Sequence, residues 1–338
     1  MAVKLHIKNN RWAEGSFPNT PEGEAVFTIT RERFDSVLAE FPAMAGKIDA
    51  FIDWDTDNFA ASMQQAEVLL TWNLPTENLN DLAPNLKWVH CIGAGVEHLL
   101  PLDWLPDGVV LTNNKGVHAA KAGEFGLMSI LMLHCHLPAL VTNQRDHIFE
   151  SLYASPIAGK TLVVIGTGSL GGSAAKKVSE LGVHVIGVNR HGKPVAGCHE
   201  IVTTEQLDDV LPRADYLLVA TPDTPETRGL LDRRRLDLLK PEAGLVNIGR
   251  EAVMDYDALC DKLDEGSLAG AILDVFDPEP VAATSRLWNT RNLIVTPHVS
   301  ADDGDAYVPM TINLFLRNME LHLAGKPLLN PVRAELGY

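Results

Sequence analysis

Residues 160–190 read KTLVVIGTGSLGGSAAKKVSELGVHVIGVNR. Thr161 to Ile165 are apolar and β-branched enough for a fully buried parallel strand, and Gly166, Gly168 and Gly171 follow as G-x-G-x-x-G. In such a turn the first glycine permits the tight bend, the second lets backbone approach a pyrophosphate, and the third lets the helix pack on the strand. The spacing by itself also suits a plain structural turn. Its context decides: Ala174 to Leu181 is helical in character, Gly182 can end that helix, and Val183 to Val188 is a second buried strand. The stretch is a βαβ unit with a dinucleotide loop made of Gly166, Gly168, Ser169, Leu170 and Gly171. Phosphates would sit on the helix N-terminus, where unpaired N–H groups and the positive end of the dipole favour anions.

The end of the second strand selects the nucleotide. A carboxylate there would bind the adenosine ribose of NAD, and an arginine would accommodate the 2′-phosphate of NADP. Here the strand ends Val188-Asn189-Arg190-His191-Gly192-Lys193, with no acid. Arg190 offers a planar donor fork, Asn189 a ribose partner, and His191 and Lys193 complete the loop. These residues predict NADP as the preferred cofactor, with NAD possible.

The chain has 338 residues, enough for two domains that each bury a core. Its formal net charge of −16 disfavours nucleic acid or anionic membrane as a partner, since either needs a concentrated basic face. The cysteines, Cys91, Cys135, Cys198 and Cys260, form no CxxC or Cys/His cluster and are expected to be reduced thiols. The N-terminus lacks the pattern of a secretory signal and no stretch offers the roughly 20 apolar residues of a span, so a cytoplasmic location is expected.

Strand candidates at Val3 to Ile7, Ala50 to Trp54, Val68 to Thr71, Trp88 to Ile92 and Val109 to Thr112 alternate with helices at Thr30 to Ala39, Asn58 to Gln65 and Thr76 to Leu82. Beyond the nucleotide loop come a helix at Thr203 to Val210, strands at Tyr216 to Ala220, Gly244 to Ile248, Gly270 to Val275 and Leu293 to Thr296, and helices at Asp255 to Glu265 and Asp305 to Leu323. The expected fold class is α/β, with two doubly wound parallel-sheet domains. A Rossmann cofactor domain, 116–297, is inserted into a flavodoxin-like substrate domain formed by 1–115 and 298–338. Gly116 to His136 reads as one long helix, apolar nearly all round because it is buried between domains or at a dimer interface. Glu124, His134 and His136 on it do not have ligand spacing, and no metal site is expected.

Two loops of the first domain follow strands, at carboxyl ends where ligands bind in open α/β sheets. One carries Trp72 and Asn73. The other is Gly93-Ala94-Gly95-Val96, whose backbone N–H groups could hold a carboxylate or could simply form a turn. In the cofactor domain, Arg250, Glu279 and His298 each follow an apolar strand. A histidine exchanges protons near neutrality, a carboxylate can orient its ring, and a guanidinium can hold a substrate carboxylate. Spacing alone does not join the three.

The segments GTGSLG at 166–171, TPDTPETRGLL at 221–231, LVNIGREAVMD at 245–255, LDVFDPEP at 273–280 and TPH at 296–298 together resemble the D-isomer-specific 2-hydroxyacid dehydrogenases, a family that includes glyoxylate/hydroxypyruvate reductases, D-lactate dehydrogenases and phosphoglycerate dehydrogenases. The resemblance covers most of the chain and is clearest from Gly93 to His298. It implies that Arg250 binds the 2-oxo acid and polarises its carbonyl, that Glu279 supports His298, and that His298 gives a proton to the carbonyl oxygen during hydride transfer. It further implies that Thr221, Pro222, Ile248 and Asp274 contact the cofactor, Asp274 at the nicotinamide carboxamide. Backbone near Gly93 to Val96 would hold the substrate carboxylate, and the protein would form a homodimer through its cofactor domains.

Two places depart from the family pattern. Glu251 stands where a glycine commonly follows the arginine, and Val299-Ser300-Ala301-Asp302-Asp303 replaces a small residue and a threonine-containing helix start. Both add negative charge. Formate dehydrogenase is disfavoured by a glutamate, not a glutamine, at Glu279. A dinucleotide-sensing corepressor with little turnover is the alternative from another functional class, since such proteins can retain the triad.

Overall fold

The computed structural model describes residues 2–12 and 20–333. Two compact units emerge, one from Met1–His118 with Asp303–Tyr338 and one from Ala119–Asp302. The last residues of the expected C-terminal segment, 334–338, lie outside the described residues.

The first unit holds five parallel strands, β1 (Val3–Asn9), β2 (Ile48–Trp54), β3 (Val68–Thr71), β4 (Trp88–Cys91) and β5 (Val110–Thr112), in the order β2-β1-β3-β4-β5. This is the flavodoxin-like order, with a switch point between β1 and β3. Leu5 and Ile7 face a core with Phe34, Trp88 and Phe315, while Leu69, Val89 and Leu111 face another with Phe59 and Met63. Burial on both faces is why central β3 (VLLT) reads as an apolar run, whereas β1 (VKLHIKN) and edge strand β2 (IDAFIDW) carry charged residues. Helix α1 (Pro21–Phe27) was not legible in the sequence, and α2 (Arg31–Leu38) begins where Thr30 caps it by accepting from the N–H of Arg33 at 3.2 Å. Short helices α3 (Phe59–Met63) and α4 (Leu79–Leu82) follow, both shorter than expected.

The second unit opens with α5 (Ala119–His134) and α6 (Leu137–Arg145), then runs β6 (Thr161–Ile165), α7 (Ser169–Ser179), β7 (His184–Val188), β8 (Glu200–Val202), α8 (Leu207–Val210), β9 (Tyr216–Val219), α9 (Arg233–Leu236), β10 (Gly244–Asn247), α10 (Tyr256–Asp264), β11 (Gly270–Leu273) and β12 (Leu293–Val295). The strand order β12-β11-β10-β9-β6-β7-β8 is a Rossmann sheet with an added edge strand. Strand β8 is only three residues long beside charged neighbours, too short for a periodic signal. The helix expected over Gly116 to His136 is α5, and beyond it α6, which the sequence reading lacked, sets off at 64° because His136 adopts a left-handed backbone (φ 57°) and Pro138 stands in the first turn of α6. The burial of α5 comes from within its own unit. A Cβ on Gly123 would lie 2.3 Å from Ser173 Oγ, and one on Gly126 would lie 2.7 Å from Ala174 Cβ, so both glycines permit close packing against α7.

The unit boundary falls after Asp302, whereas the sequence suggested 297, because buried Asp274 accepts from the backbone N–H groups of Val299 and Ser300. The chain then returns to the first unit as α11 (Tyr307–Leu323). Among the described residues no single helix is long and apolar enough to cross a membrane, and no group of three or more His, Cys, Asp or Glu side chains could hold a metal ion. His134 instead bonds Tyr216 Oη at 2.7 Å and the Ser155 carbonyl at 2.5 Å.

Fully buried Asn114 ties α11 to the first sheet. Its amide donates to the Ile92 carbonyl at 2.5 Å and to Thr311 Oγ1 at 2.7 Å, and its oxygen meets His90 Nε2 at 3.2 Å. Asn114→Ala strands these partners, and stability measured by urea unfolding should fall by about 2–3 kcal/mol. A loss below ~0.5 kcal/mol would remove Asn114 from this role.

Candidate active site

Strand β6 runs into Gly166, whose φ of 89° is left-handed and whose absent Cβ would lie 2.7 Å from the Ala220 carbonyl oxygen. At Gly171 a Cβ would lie 2.0 Å from the Gly166 carbonyl oxygen, so the helix could not approach the strand with any side chain there. Gly168 differs. Its Cβ position faces open space, and as N-cap of the 11-residue α7 it provides no capping side chain for the N–H groups of the first turn, at Ser169 and Leu170. After β9, Thr221 Oγ1 is buried with no hydrogen-bond partner among the described residues, and Gly249 presses on the same residue, its Cβ position 2.6 Å from the Thr221 carbonyl oxygen. Pro222 follows, its carbonyl accepting from Thr227 Oγ1 at 2.6 Å, and Ile248 ends β10 almost fully buried. Open backbone at a helix N-terminus and an orphaned hydroxyl fit a dinucleotide.

At the end of β7, Asn189 is saturated. Its amide donates to Thr167 Oγ1 at 3.0 Å and the Lys193 carbonyl at 2.9 Å, while its oxygen accepts from the N–H groups of His191 and Lys193 at 3.2 and 3.1 Å. With two donors and two acceptor sites used, Asn189 staples its own loop and has no capacity left for a ribose in this arrangement. Half-exposed Arg190 lies 3.3 Å from Glu226 Oε2. His191 is exposed.

The three chemical candidates come together within the second unit. His298 Nδ1 lies 2.8 Å from Glu279 Oε2, and Glu279 Oε1 accepts from the N–H of Phe276 at 2.8 Å. That second bond fixes the carboxylate and so the ring. Burial alone would lower the His298 pKa, but the bond and charge of Glu279 outweigh it and raise the pKa above the ordinary value despite opposition from nearby Arg250. Arg250 leaves β10 through a turn held by Asn247, which accepts from the N–H of Gly249 at 3.0 Å and donates to the Arg250 carbonyl and Tyr256 Oη at 3.1 Å each. Asn247 and Tyr256 were missed by sequence reasoning; a fully buried asparagine in an apolar strand was the available signal.

Asp274, which the resemblance implies as a cofactor contact, also has a structural role. It is fully buried, and its carboxylate accepts from Thr296 Oγ1 at 2.5 Å, Val299 N–H at 3.0 Å and Ser300 N–H at 2.9 Å. These bonds brace the segment that carries His298, whose backbone is left-handed at φ 54°. Asp302, at the unit boundary, is pushed up to about 6 by burial; His298 pulls it down and Asp274 raises it.

In the first unit, the Trp72 ring stacks on His98 with centroids 4.2 Å apart, and a Cβ on Gly93 would lie 2.3 Å from Trp72 Cζ3. The two expected substrate loops therefore interlock. Asn113 donates to the Ala94 carbonyl at 2.8 Å and the Asn114 N–H to the Gly93 carbonyl at 2.9 Å. The Gly93 N–H is directed at the Cys91 thiol, and among the described residues no backbone carbonyl accepts from the N–H groups of Ala94, Gly95 or Val96. Asn73 Oδ1 accepts from Lys8 Nζ at 3.1 Å and Asn10 Nδ2 at 2.6 Å.

The Glu279 pairing has a pH consequence. A raised His298 pKa means that protonated imidazole, and the stability the pair contributes, is fully present below the ordinary value near 6.5 and is lost as pH rises through the raised value. Glu279→Gln removes the raising charge and leaves burial in control. The pH midpoint for any step using protonated His298 should then move acidward in a rate profile, and an unmoved midpoint would contradict the pairing.

Residues 127–300 match the family model for the D-isomer specific 2-hydroxyacid dehydrogenase, NAD binding domain. The chain is 32% identical over 256 residues to D-3-phosphoglycerate dehydrogenase of Mycobacterium tuberculosis, a match covering 75% of this chain but 48% of that enzyme, so it spans about half the relative's length. A D-isomer specific 2-hydroxyacid dehydrogenase from Xanthobacter autotrophicus, solved in complex with NADPH and MES, superposes with a TM-score of 0.82 at 27% identity over the full length of both chains. An NADPH-dependent glyoxylate/hydroxypyruvate reductase from Sinorhizobium meliloti, solved with NADP and sulfate, gives 0.78 at 27% identity over 99% of this chain and 100% of that one. With a glycine loop, a Rossmann sheet and a Glu279–His298 pair on the matched segment, this chain belongs to the D-isomer specific 2-hydroxyacid dehydrogenases, NAD(P)-dependent oxidoreductases.

Proposed function

We propose that the protein reduces small 2-oxo acids of the glyoxylate/hydroxypyruvate type to (R)-2-hydroxy acids with NADPH, and catalyses the reverse oxidation. The observation that carries this reading is the 2.8 Å bond from Glu279 to His298, with Arg250 close enough to oppose protonation of that ring. When bound, the nicotinamide supplies the hydride that adds to the carbonyl carbon. His298, its Nδ1 held by Glu279, gives the proton from Nε2 to the carbonyl oxygen and is left as a neutral imidazole. Arg250 orients the acid and polarises the carbonyl. Backbone N–H groups from Gly93 to Val96 hold the substrate carboxylate, and Trp72 shapes the loop above them.

Gly166, Gly168, Ser169, Leu170 and Gly171 would cradle the pyrophosphate, and the partnerless Thr221 hydroxyl would face the nucleotide. For the 2′-phosphate the support is Arg190 at the end of β7 with no carboxylate beside it in sequence, and the NADPH and NADP bound by the Xanthobacter and Sinorhizobium proteins. A homodimer through the cofactor domains is consistent with exposed Met128 and Leu131 on α5 and with Ile148, Phe149 and Tyr153 beyond α6, an apolar group on the second unit.

One experiment tests substrate and nucleotide together: steady-state rates on glyoxylate, hydroxypyruvate and pyruvate with NADPH and NADH, for the wild type and Arg190→Ala. The wild type should turn over with NADPH preferred, and the variant should lose affinity for NADPH far more than for NADH, by about 1.5–3 kcal/mol. Equal losses for both nucleotides would remove Arg190 from the phosphate site. Nucleotide binding with negligible flux on every acid would instead favour the corepressor-like alternative.

A further inference from the structure

Lys8 is the last-but-one residue of β1 and is only 4% exposed, unlike most lysines of the chain. Among the described residues its ammonium has one hydrogen bond, to Asn73 Oδ1 at 3.1 Å, leaving two of three donors unused. The neighbouring carboxylates are committed elsewhere. Asp53, opposite Lys8 on β2, accepts from Ser62 Oγ at 2.6 Å and Asn58 Nδ2 at 3.2 Å and lies 3.4 Å from His6 Nε2. Asp55 takes the backbone N–H and the guanidinium of Arg11, both at 2.9 Å, and acts on Lys8 only through its field. Burial lowers the lysine's pKa to about 8, with Asp55 raising it. Beside it, Asn10 Nδ2 reaches the same Asn73 oxygen at 2.6 Å, while Asn10 Oδ1 is buried with no hydrogen-bond partner among the described residues. The Lys8 ammonium, with donors to spare, and the Asn10 amide thus share the Asn73 side chain.

Their place in the fold is a binding place. β1 and β3 are the adjacent strands at the switch point of the first sheet, Lys8 aligns with Thr71 across them, and Asn73 follows β3 at its carboxyl end. Ligands of open α/β sheets bind outside the strand ends at that point. Asn73 is also fixed: its carbonyl accepts from Thr71 Oγ1 at 2.7 Å, and the preceding Trp72 lies over Gly93 of the loop assigned above to the substrate carboxylate. A buried ammonium with so few acceptors is costly unless a ligand supplies the rest.

We infer that Lys8, positioned by Asn73, recognises a second anionic group, a carboxylate or a phosphate, on the 2-oxo acid, so that the preferred substrates are dianionic or more highly charged 2-oxo acids. This rests on the 2-oxo acid reading above and narrows it. Among the described residues no other lysine or arginine of the first sheet is buried in this way; Lys4 on the same strand is paired with Asp49 at the surface.

The test uses chain-matched pairs with NADPH: 2-oxoglutarate against 2-oxopentanoate for a carboxylate, and hydroxypyruvate phosphate against hydroxypyruvate for a phosphate. In the wild type kcat/KM should favour the more charged member of one pair by roughly ten- to a hundredfold, and that pair names the anion. Lys8→Met and Lys8→Gln should collapse the ratio toward one, mainly through KM, while Lys8→Arg keeps part of it. Ratios at or below one for both pairs in the wild type overturn the inference without any variant, as does a ratio that the neutral substitutions leave unchanged. If every monoacid is turned over but neither ratio exceeds one, only this inference falls. No turnover of any 2-oxo acid would sink the functional reading and this one with it.

Discussion

A fully buried carboxylate holds the active segment in shape. Asp274, at the end of β11, accepts three hydrogen bonds from Thr296, Val299 and Ser300, and between those residues stands His298 in a left-handed backbone. That conformation costs energy at a non-glycine residue and persists only where its surroundings over-determine it. Removing Asp274 would leave two N–H groups and a hydroxyl without their acceptor and free the backbone to relax. The bond from Glu279 then sets the ring's orientation and charge, and the turn built by Asn247 delivers Arg250 from the neighbouring strand. Parallel strands ending at one edge of a sheet bring these groups from distant points in the chain to one place.

Charge is distributed against the average. The chain carries a formal net charge of −16, yet the groups assigned to anions are cationic or backbone donors: Arg190 at β7, Arg250 at β10, Lys8 at β1, and the N–H groups of α7 and of the Gly93 loop. Global charge therefore says little about the substrate. Local cations inside low-dielectric strand ends act more strongly than the many screened surface carboxylates.

Much of this was legible in the sequence because it lies in local patterns. The glycine loop, the buried parallel strands and the three groups after strand ends are each encoded within a few residues, and the alternation of strands and helices predicts open parallel sheets. What the sequence hid was partnership over distance. Asn189 looked like a ribose ligand, but its hydrogen-bonding capacity is spent on its own loop. Asp274 stood out only as an implied cofactor contact, and the fold adds that it braces residues 296–300. Lys8 sat unremarked in a strand, since only the fold reveals that its amine is buried beside Asn73. Helix α6 went unread because Pro138 can stop one helix or start the next, and periodicity does not say which.

The central claim is that His298 is the proton donor, and the most direct measurement compares His298→Ala with the wild type in two assays, NADPH affinity by fluorescence titration and turnover of the best 2-oxo acid. The account predicts nearly unchanged nucleotide affinity with turnover reduced by roughly 10²–10⁴-fold, the range for loss of a general acid. A variant that binds NADPH and still turns over at a rate near that of the wild type would contradict it.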